Sequence, residues 1–369
     1  MKNFLVISFL FLLSIWGCQR SGKGHEEKNQ ILETHVDQFT SNKEILLKIK
    51  EIDSLLKKLT LDKNTAGVSF GIQVDNSQPY LATYGYANVG QKLKVKSSTE
   101  FRIASVTKPF TATAIALLIE QGSIALNDPI NKFFPGFPNG GKVTIYQLLS
   151  HTSGIPNWWE GGLPEDTPEN FPMCETPHKY IQGMDKVFHF EPGTKHAYSN
   201  SGYVLLGEII EQVSGKSYSD FLKLKIFSPS KMKNTQMVDI YGSSDHWAQG
   251  YALDSKKEKL FIEPVFIHMP FAAGGLQSNV SDLLSFANTL FEDRLIGKSL
   301  LNQMTSYAKV INEKPVYEAL YFPADFSPPA PPKNMKKNGY GLGFSLMEVN
   351  GKPIIWHSGG IPGFNSIWA

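Results

Sequence analysis

Apolar and polar positions change period along this chain, and each change marks an element. Phe4 to Trp16 is a continuous apolar run behind Lys2, and Arg20 to about Thr40 is polar. Ser41-Asn42-Lys43-Glu44 resembles a capping box, and Ile45, Ile49, Ile52, Leu56 and Leu59 follow at helical spacing. That predicts a helix over 44–59. Val68 to Val74 alternates, Asp75 to Gln78 is turn-like and Tyr80 to Tyr86 alternates again, which predicts a hairpin. Lys108 to Gln121 is apolar throughout and stops at Gly122, with Pro109 where a first turn tolerates it.

Asn127 to Asn157 is broken by Gly and Pro around one short helix, Ile145 to Ser150. Trp158 to Thr194 carries five prolines and reads as loop. Helices are predicted over Tyr203 to Val213, stopped by Ser214-Gly215, and over Ser281 to Phe291, capped near Ser281 or Asp282. Lys314 to Lys337 is Pro-rich and irregular. Tyr340 to Val349 and Pro353 to His357 read as neighbouring strands joined at Asn350-Gly351, and the last residues, Gly363 to Ala369, open another alternation. Strands therefore flank a long middle of helices and loops. The expected class is α+β, a sheet domain with a helix-rich insert at about 127–270.

Composition narrows the function classes. The chain has 369 residues, 41% hydrophobic and 19% charged, with a net charge of +2. Those values exclude a disordered chain and a polytopic membrane protein, and they carry no basic surplus for nucleic acid. The apolar run is shorter than the roughly 20 residues of a membrane span and follows a positive start, so it reads as an export signal over 1–17. Its end, Ile15-Trp16-Gly17-Cys18, resembles the bacterial lipobox, with Trp16 as a departure. That resemblance implies lipidation of Cys18 and a tether over 18–43, which leaves 44–369 as the folded domain. Gln19 favours the outer membrane over inner-membrane retention. Only one other cysteine exists, Cys174, in a Pro-rich loop without a helix start to activate it.

Three short motifs carry candidate chemistry. In Ser105-Val106-Thr107-Lys108 the two polar residues share one helical face, so an amine stands beside a hydroxyl that is a weak nucleophile alone. In Tyr198-Ser199-Asn200 a phenol and an amide are two residues apart. A phenolate favoured by Lys108 would serve as a base, and Asn200 offers both donor and acceptor to a substrate amide. In Trp356-His357-Ser358-Gly359-Gly360 an apolar strand meets glycines, where a substrate can lie on the backbone and an N–H can face an oxyanion. Each motif alone is as well explained by a cap, a turn or a strand end.

Together, and in this order, they resemble the serine β-lactamase and penicillin-binding-protein superfamily, and more closely its class C β-lactamase-related branch of esterases, DD-peptidases and D-amino-acid peptidases. Leu148 to Ile155, Glu191-Pro192-Gly193, Tyr198 to Tyr203 and Ala273 to Ser278 match the family's usual wording, and the likeness runs from about Asp53 to the end. The resemblance implies an antiparallel sheet flanked by helices. It implies Ser105 as acylated nucleophile, Lys108 as its activator and Tyr198 as base. Asn200, His357, Ser358 and Gly359 would bind substrate, and the N–H groups of Ser105 and Gly360 would form the oxyanion hole. It implies action on a small ester, amide or cell-wall peptide, without cofactor, metal or nucleic acid; the expected state is a monomer joined to the membrane through the lipid on Cys18. His357 departs from the lysine of true β-lactamases. A mostly neutral side chain there favours esters or amides over carboxylate-bearing antibiotics. In that family at least one more strand and a C-terminal helix follow, so the chain is expected to be a fragment.

Three rival readings remain. His151, His189, His196 and His246 could hold a metal, although no close ligand pair such as H-E-x-x-H occurs. His151 more simply is a hydrogen-bonder at a helix end. Gly339-Tyr340-Gly341-Leu342-Gly343 suggests a phosphate loop but lacks its helix and its G-K-[ST] ending. The third is a non-catalytic lipoprotein that keeps the fold and binds cell-wall peptides.

Overall fold

The computed structural model describes residues 5–11, 43–62, 64–74, 77–167, 176–239, 242, 244–253, 260–262, 271–320 and 335–369. The helices that matter for the site are α1 (Lys43–Leu61), α2 (Thr107–Glu120), α3 (Ile145–Leu149), α4 (Asn200–Ser214) and α5 (Val280–Phe291). The strands are β1 (Leu5–Phe11), β2 (Gly67–Val74), β3 (Tyr80–Asn88), β4 (Leu93–Lys94), β5 (Phe101–Arg102), β6 (Gln236–Met237), β7 (Tyr251–Leu253), β8 (Leu260–Ile262), β9 (Leu276–Ser278), β10 (Met335–Tyr340), β11 (Ser345–Val349), β12 (Lys352–Ile361) and β13 (Phe364–Trp368).

The main sheet has the order β10-β11-β12-β13-β1-β2-β3-β4, with every neighbouring pair antiparallel. It is an α+β fold. A small sheet, β5-β9-β6, ties the approach to Ser105 to the segment around Leu276. The apolar run read as an export signal contributes β1, which pairs with β13 through Ser8 to Phe11 and with β2 through Leu5 to Phe11.

Both faces of the sheet are covered. Ile49 and Leu56 of α1 pack on Val68, Phe70, Ile72, Tyr80 and Ala82 of the hairpin. Each such side chain contributes about 1.5–3 kcal/mol when fully buried. Asp53 fixes the crossing, because its carboxylate accepts from the hydroxyls of Tyr80 and Tyr84. On the other face α5 lies so close to β2 that a Cβ at Gly71 would stand 2.2 Å from Val280 Cγ1. Trp368 is 1% exposed, donates its Nε1–H to Leu283 O at 3.3 Å, and stacks on Phe291 with ring centroids 6.1 Å apart.

Helix α2 is buried on nearly every side, which its unbroken apolar run requires. It is the central post of the domain. Thr111 Oγ1 donates to Ala272 O at 2.6 Å, and Thr107 Oγ1 accepts from Leu276 N at 3.1 Å. Both helix stops were legible, since Gly122 and Gly215 hold left-handed φ angles of 71° and 66°.

Several boundaries differ from the sequence reading. Helix α4 begins at Asn200, where Ser199 Oγ accepts from Gly202 N at 3.2 Å. Asn279, not Ser281 or Asp282, caps α5, its Oδ1 accepting from Asp282 N at 2.9 Å. The stretch from Trp158 to Thr194 contains two short helices, Trp158–Gly161 and Pro177–Gln182. Tyr340 to Val349 is two strands rather than one. The chain reverses between β10 and β11, with Gly343 at φ 91°. This also disposes of the phosphate-loop reading, because the glycines join antiparallel strands and open no helix. Strand β12 runs on through Ser358, Gly359 and Gly360 instead of ending at His357. Ser41, Asp75, Asn76, Cys18 and Cys174 lie outside the described residues. Among those described, no helix is long and apolar enough to cross a membrane.

Candidate active site

Ser105 does not sit in the long helix itself. It occupies a 3-10 turn, Ala104–Val106, that abuts the first turn of α2, so Lys108 is still three residues on along the same wall. Ala104 holds a φ of 47°, a left-handed conformation at a residue with a Cβ. Strain of that kind is kept only where the surroundings impose it. Strand β12 imposes it here. A Cβ at Gly359 would stand 2.1 Å from Ile103 O and 3.0 Å from Ser105 N, so the strand backbone lies directly against the turn that carries Ser105. Ser366 of β13 donates to the same Ile103 O at 2.7 Å.

Lys108 is fully buried, and its Nζ gathers the site. It lies 3.2 Å from Ser105 Oγ, 2.7 Å from Asn200 Oδ1 and 2.7 Å from Ala273 O. No carboxylate among the described residues pairs with it. Burial therefore holds its ammonium well below the ordinary lysine range. A neutral amine still donates to Asn200 and Ala273, and its lone pair is then free for the Ser105 hydroxyl.

Tyr198 stands over this group, with Lys108 Nζ 4.7 Å from its ring centroid. Tyr198 is 37% exposed, and its hydroxyl is within hydrogen-bonding reach of Ser105. Desolvation raises its phenol above the usual range, and the bond to Ser105 offsets only part of that. Burial thus opposes the phenolate expected beside Lys108.

Asn200 is oriented from both ends. Its Nδ2 donates to Asn157 Oδ1 at 3.1 Å, which turns Oδ1 to Lys108. Asn157 Oδ1 also accepts from Asn200 N at 2.8 Å, and its Nδ2 donates to Tyr198 O at 3.2 Å. One side chain therefore holds the whole Tyr198-Ser199-Asn200 segment. Sequence reasoning missed it, since nothing in Ile155-Pro156-Asn157 marks a partner 43 residues away.

His357 is placed differently from the expectation. It is 2% exposed and faces inward, whereas Ser358 and Gly360 face out. Its Nδ1–H donates to Ser358 O at 2.7 Å, and its Nε2 lies 2.9 Å from the hydroxyl of Tyr340. Burial, with Lys108 as a lesser cause, pushes its pKa down to about 3. On this strand the side chain open to a substrate is Ser358, and His357 supports it from behind. Tyr340 was missed as well.

His151 closes the floor. It sits just beyond α3 with a φ of 58°, and its Nδ1 accepts from Ser199 N at 3.1 Å. Its ring lies 4.3 Å from Tyr198, 5.1 Å from Tyr203 and 4.7 Å from Tyr340. The helix-end role read from sequence is the one observed. Its ring and that of His196 are 6.0 Å apart, and among the described residues no three metal-ligating side chains converge.

The Beta-lactamase family model matches residues 52–369. The chain belongs to that family. It is 31% identical over 300 residues to penicillin-binding protein 4* of Bacillus subtilis (strain 168), an alignment covering 78% of this chain and 61% of that one. A second B. subtilis relative, the putative penicillin-binding protein PbpX, is 29% identical over 60% of this chain and 54% of its own length. The chain thus spans little more than half the length of these two relatives. Among solved structures, the octameric penicillin-binding protein homologue from Pyrococcus abyssi superposes with a TM-score of 0.69 at 28% identity, covering 87% of this chain and 72% of that one. D-amino acid amidase from Ochrobactrum anthropi SV3, complexed with D-phenylalanine, gives 0.68 at 26% identity, covering 87% and 90%.

Proposed function

We propose that this chain is a serine hydrolase that cleaves ester or amide bonds through an acyl-enzyme on Ser105. The surroundings of Lys108 carry the proposal. A buried lysine with no carboxylate partner among the described residues, its ammonium disfavoured by burial and its Nζ 3.2 Å from a serine hydroxyl, is suited to take that hydroxyl's proton.

As the proton moves to Lys108 Nζ, Ser105 Oγ bonds to the substrate carbonyl carbon. The carbonyl electron pair moves onto oxygen, facing the N–H groups of Ser105 and Gly360. Collapse of that oxyanion breaks the bond to the leaving alcohol or amine. The leaving group takes up a proton through Tyr198, whose hydroxyl already touches Ser105. Water then attacks the acyl-Ser105 carbonyl by the reverse proton path and frees the acid. Asn200 retains one N–H for the substrate amide, and Ser358 offers a hydroxyl from the strand.

Within the family we assign the chain to the class C-related branch of esterases and amidases, on the order of its motifs and on a neutral His357 in place of a fixed cation. One structural relative is a D-amino acid amidase, so amides of D-amino acids are the first substrates to try, beside short p-nitrophenyl esters. We also propose export, lipidation at Cys18, a place in the outer membrane or periplasm, and action as a monomer. Fluorophosphonate labelling at Ser105, abolished in Ser105→Ala, tests the chemistry. A folded wild-type protein that neither labels nor turns over these substrates would leave the binding lipoprotein as the better reading.

A further inference from the structure

We propose that Tyr340 is a positioning residue: by donating its hydroxyl to His357 Nε2 it locks His357 as the neutral Nδ1–H tautomer and keeps the strand behind Ser358 free of charge, which selects substrates lacking a carboxylate at that point. The inference rests on the hydrolase reading above and deepens it by naming the substrate class.

The tautomer follows from chemistry. Ser358 O lies 2.7 Å from Nδ1, and a carbonyl oxygen can only accept, so Nδ1 carries the hydrogen. A neutral ring then presents a lone pair at Nε2. Tyr340 OH, 2.9 Å away, fills it as donor. Both ring nitrogens are satisfied in a side chain that is 2% exposed. Protonation would put a hydrogen on Nε2 and force Tyr340 to turn its own hydrogen away.

The surroundings oppose that change. From α2, Lys108 faces His357 and, whenever it is protonated, opposes a second cation there. Tyr198 has its ring 6.3 Å from His357, and His151 and His196 stand 4.7 Å and 6.0 Å from Tyr340. All of these are neutral or positive, and His151 and His196 are themselves pushed down by burial. No carboxylate among the described residues pairs with His357 to hold a cation. Tyr340 is 4% exposed and anchored by the reversal at Gly341 to Phe344, so its hydroxyl is aimed by the fold.

The test reads His357 directly, without turnover. Ring nitrogen and carbon resonances of His357 should show the Nδ1–H tautomer and no protonation above about pH 5. Tyr340→Phe should mix the tautomers and move the titration upward. In kinetics, the KM ratio of a carboxylate-bearing ester to its neutral analogue should be flat from pH 5 to 8 in the wild type. In Tyr340→Phe it should fall toward the acid end by about tenfold per pH unit as His357 titrates. Wild-type His357 found as the Nε2–H tautomer, or titrating near 6.5, would overturn the proposal even if Tyr340→Phe fails to fold. So would a Tyr340→Phe protein with an unaltered His357 titration. Fluorophosphonate labelling of the same samples reports separately on the hydrolase reading.

Discussion

Gly359 and Ser105 are in backbone contact: a methyl group at 359 would stand 3.0 Å from the Ser105 nitrogen and 2.1 Å from the carbonyl of Ile103. Neither neighbour is a flexible side-chain tip, so the turn itself would have to move. Gly359→Ala should slow fluorophosphonate labelling by on the order of 10²-fold, the usual effect of displacing an oxyanion donor. Gly360→Ala meets nothing nearer than 3.5 Å and should keep the wild-type structure. Equal labelling rates for Gly359→Ala and wild type would show that the contact does not hold Ser105.

Lys108 is predicted to cost stability for the sake of chemistry. Its folded pKa lies well below 10.5, the value of a free lysine. Between those two values the unfolded chain binds more protons than the native one, so stability rises with pH across that window. Lys108→Met removes the slope along with the activity. The Tm of the wild type should therefore gain on that of Lys108→Met from pH 7 to 10, as scanning calorimetry would detect. A difference that stays constant or shrinks would mean that Lys108 is protonated in the folded protein.

Asn157 offers a second electrostatic handle. Asn157→Asp keeps the acceptor for Asn200, loses the donor to the Tyr198 carbonyl, and brings a negative charge to the residue that orients the partner of Lys108. A nearby anion favours the lysine ammonium. The rising limb of kcat/KM against pH should move to higher pH, by about one unit or more. Asn157→Ala should instead lower kcat/KM by about 10²-fold without moving the limb. A pH profile unchanged in Asn157→Asp would separate this side chain from Lys108.

Export is tested at Cys18. Cys18→Ala should abolish incorporation of labelled palmitate and leave an unprocessed precursor. Processing would also detach β1, whose pairing with β2 and β13 is made by residues ahead of Cys18. Palmitate retained by Cys18→Ala would refute lipidation at this position.

Local periodicity carried much of this architecture into the sequence. The stripe from Ile45 to Leu59, the hairpin around Val68 and Tyr80, and the glycine stops at 122 and 215 were legible because they depend on neighbours within one or two turns. The three motifs were legible for a similar reason: Ser105 with Lys108, Tyr198 with Asn200, and His357 with Gly359 each keep a fixed short spacing. Chemistry set by distant groups was not. Asn157 reaches Asn200 across 43 residues, and Tyr340 reaches His357 across a chain reversal that alternation alone reads as one strand. The ionisation of Lys108, Tyr198 and His357 depends on how much water each keeps and which charges remain nearby. Composition and order determine which groups are available. Only packing decides that the lysine's ammonium is disfavoured, that the tyrosine's phenol is pushed up, and that the histidine faces inward, because desolvation belongs to the folded surroundings and to no residue alone.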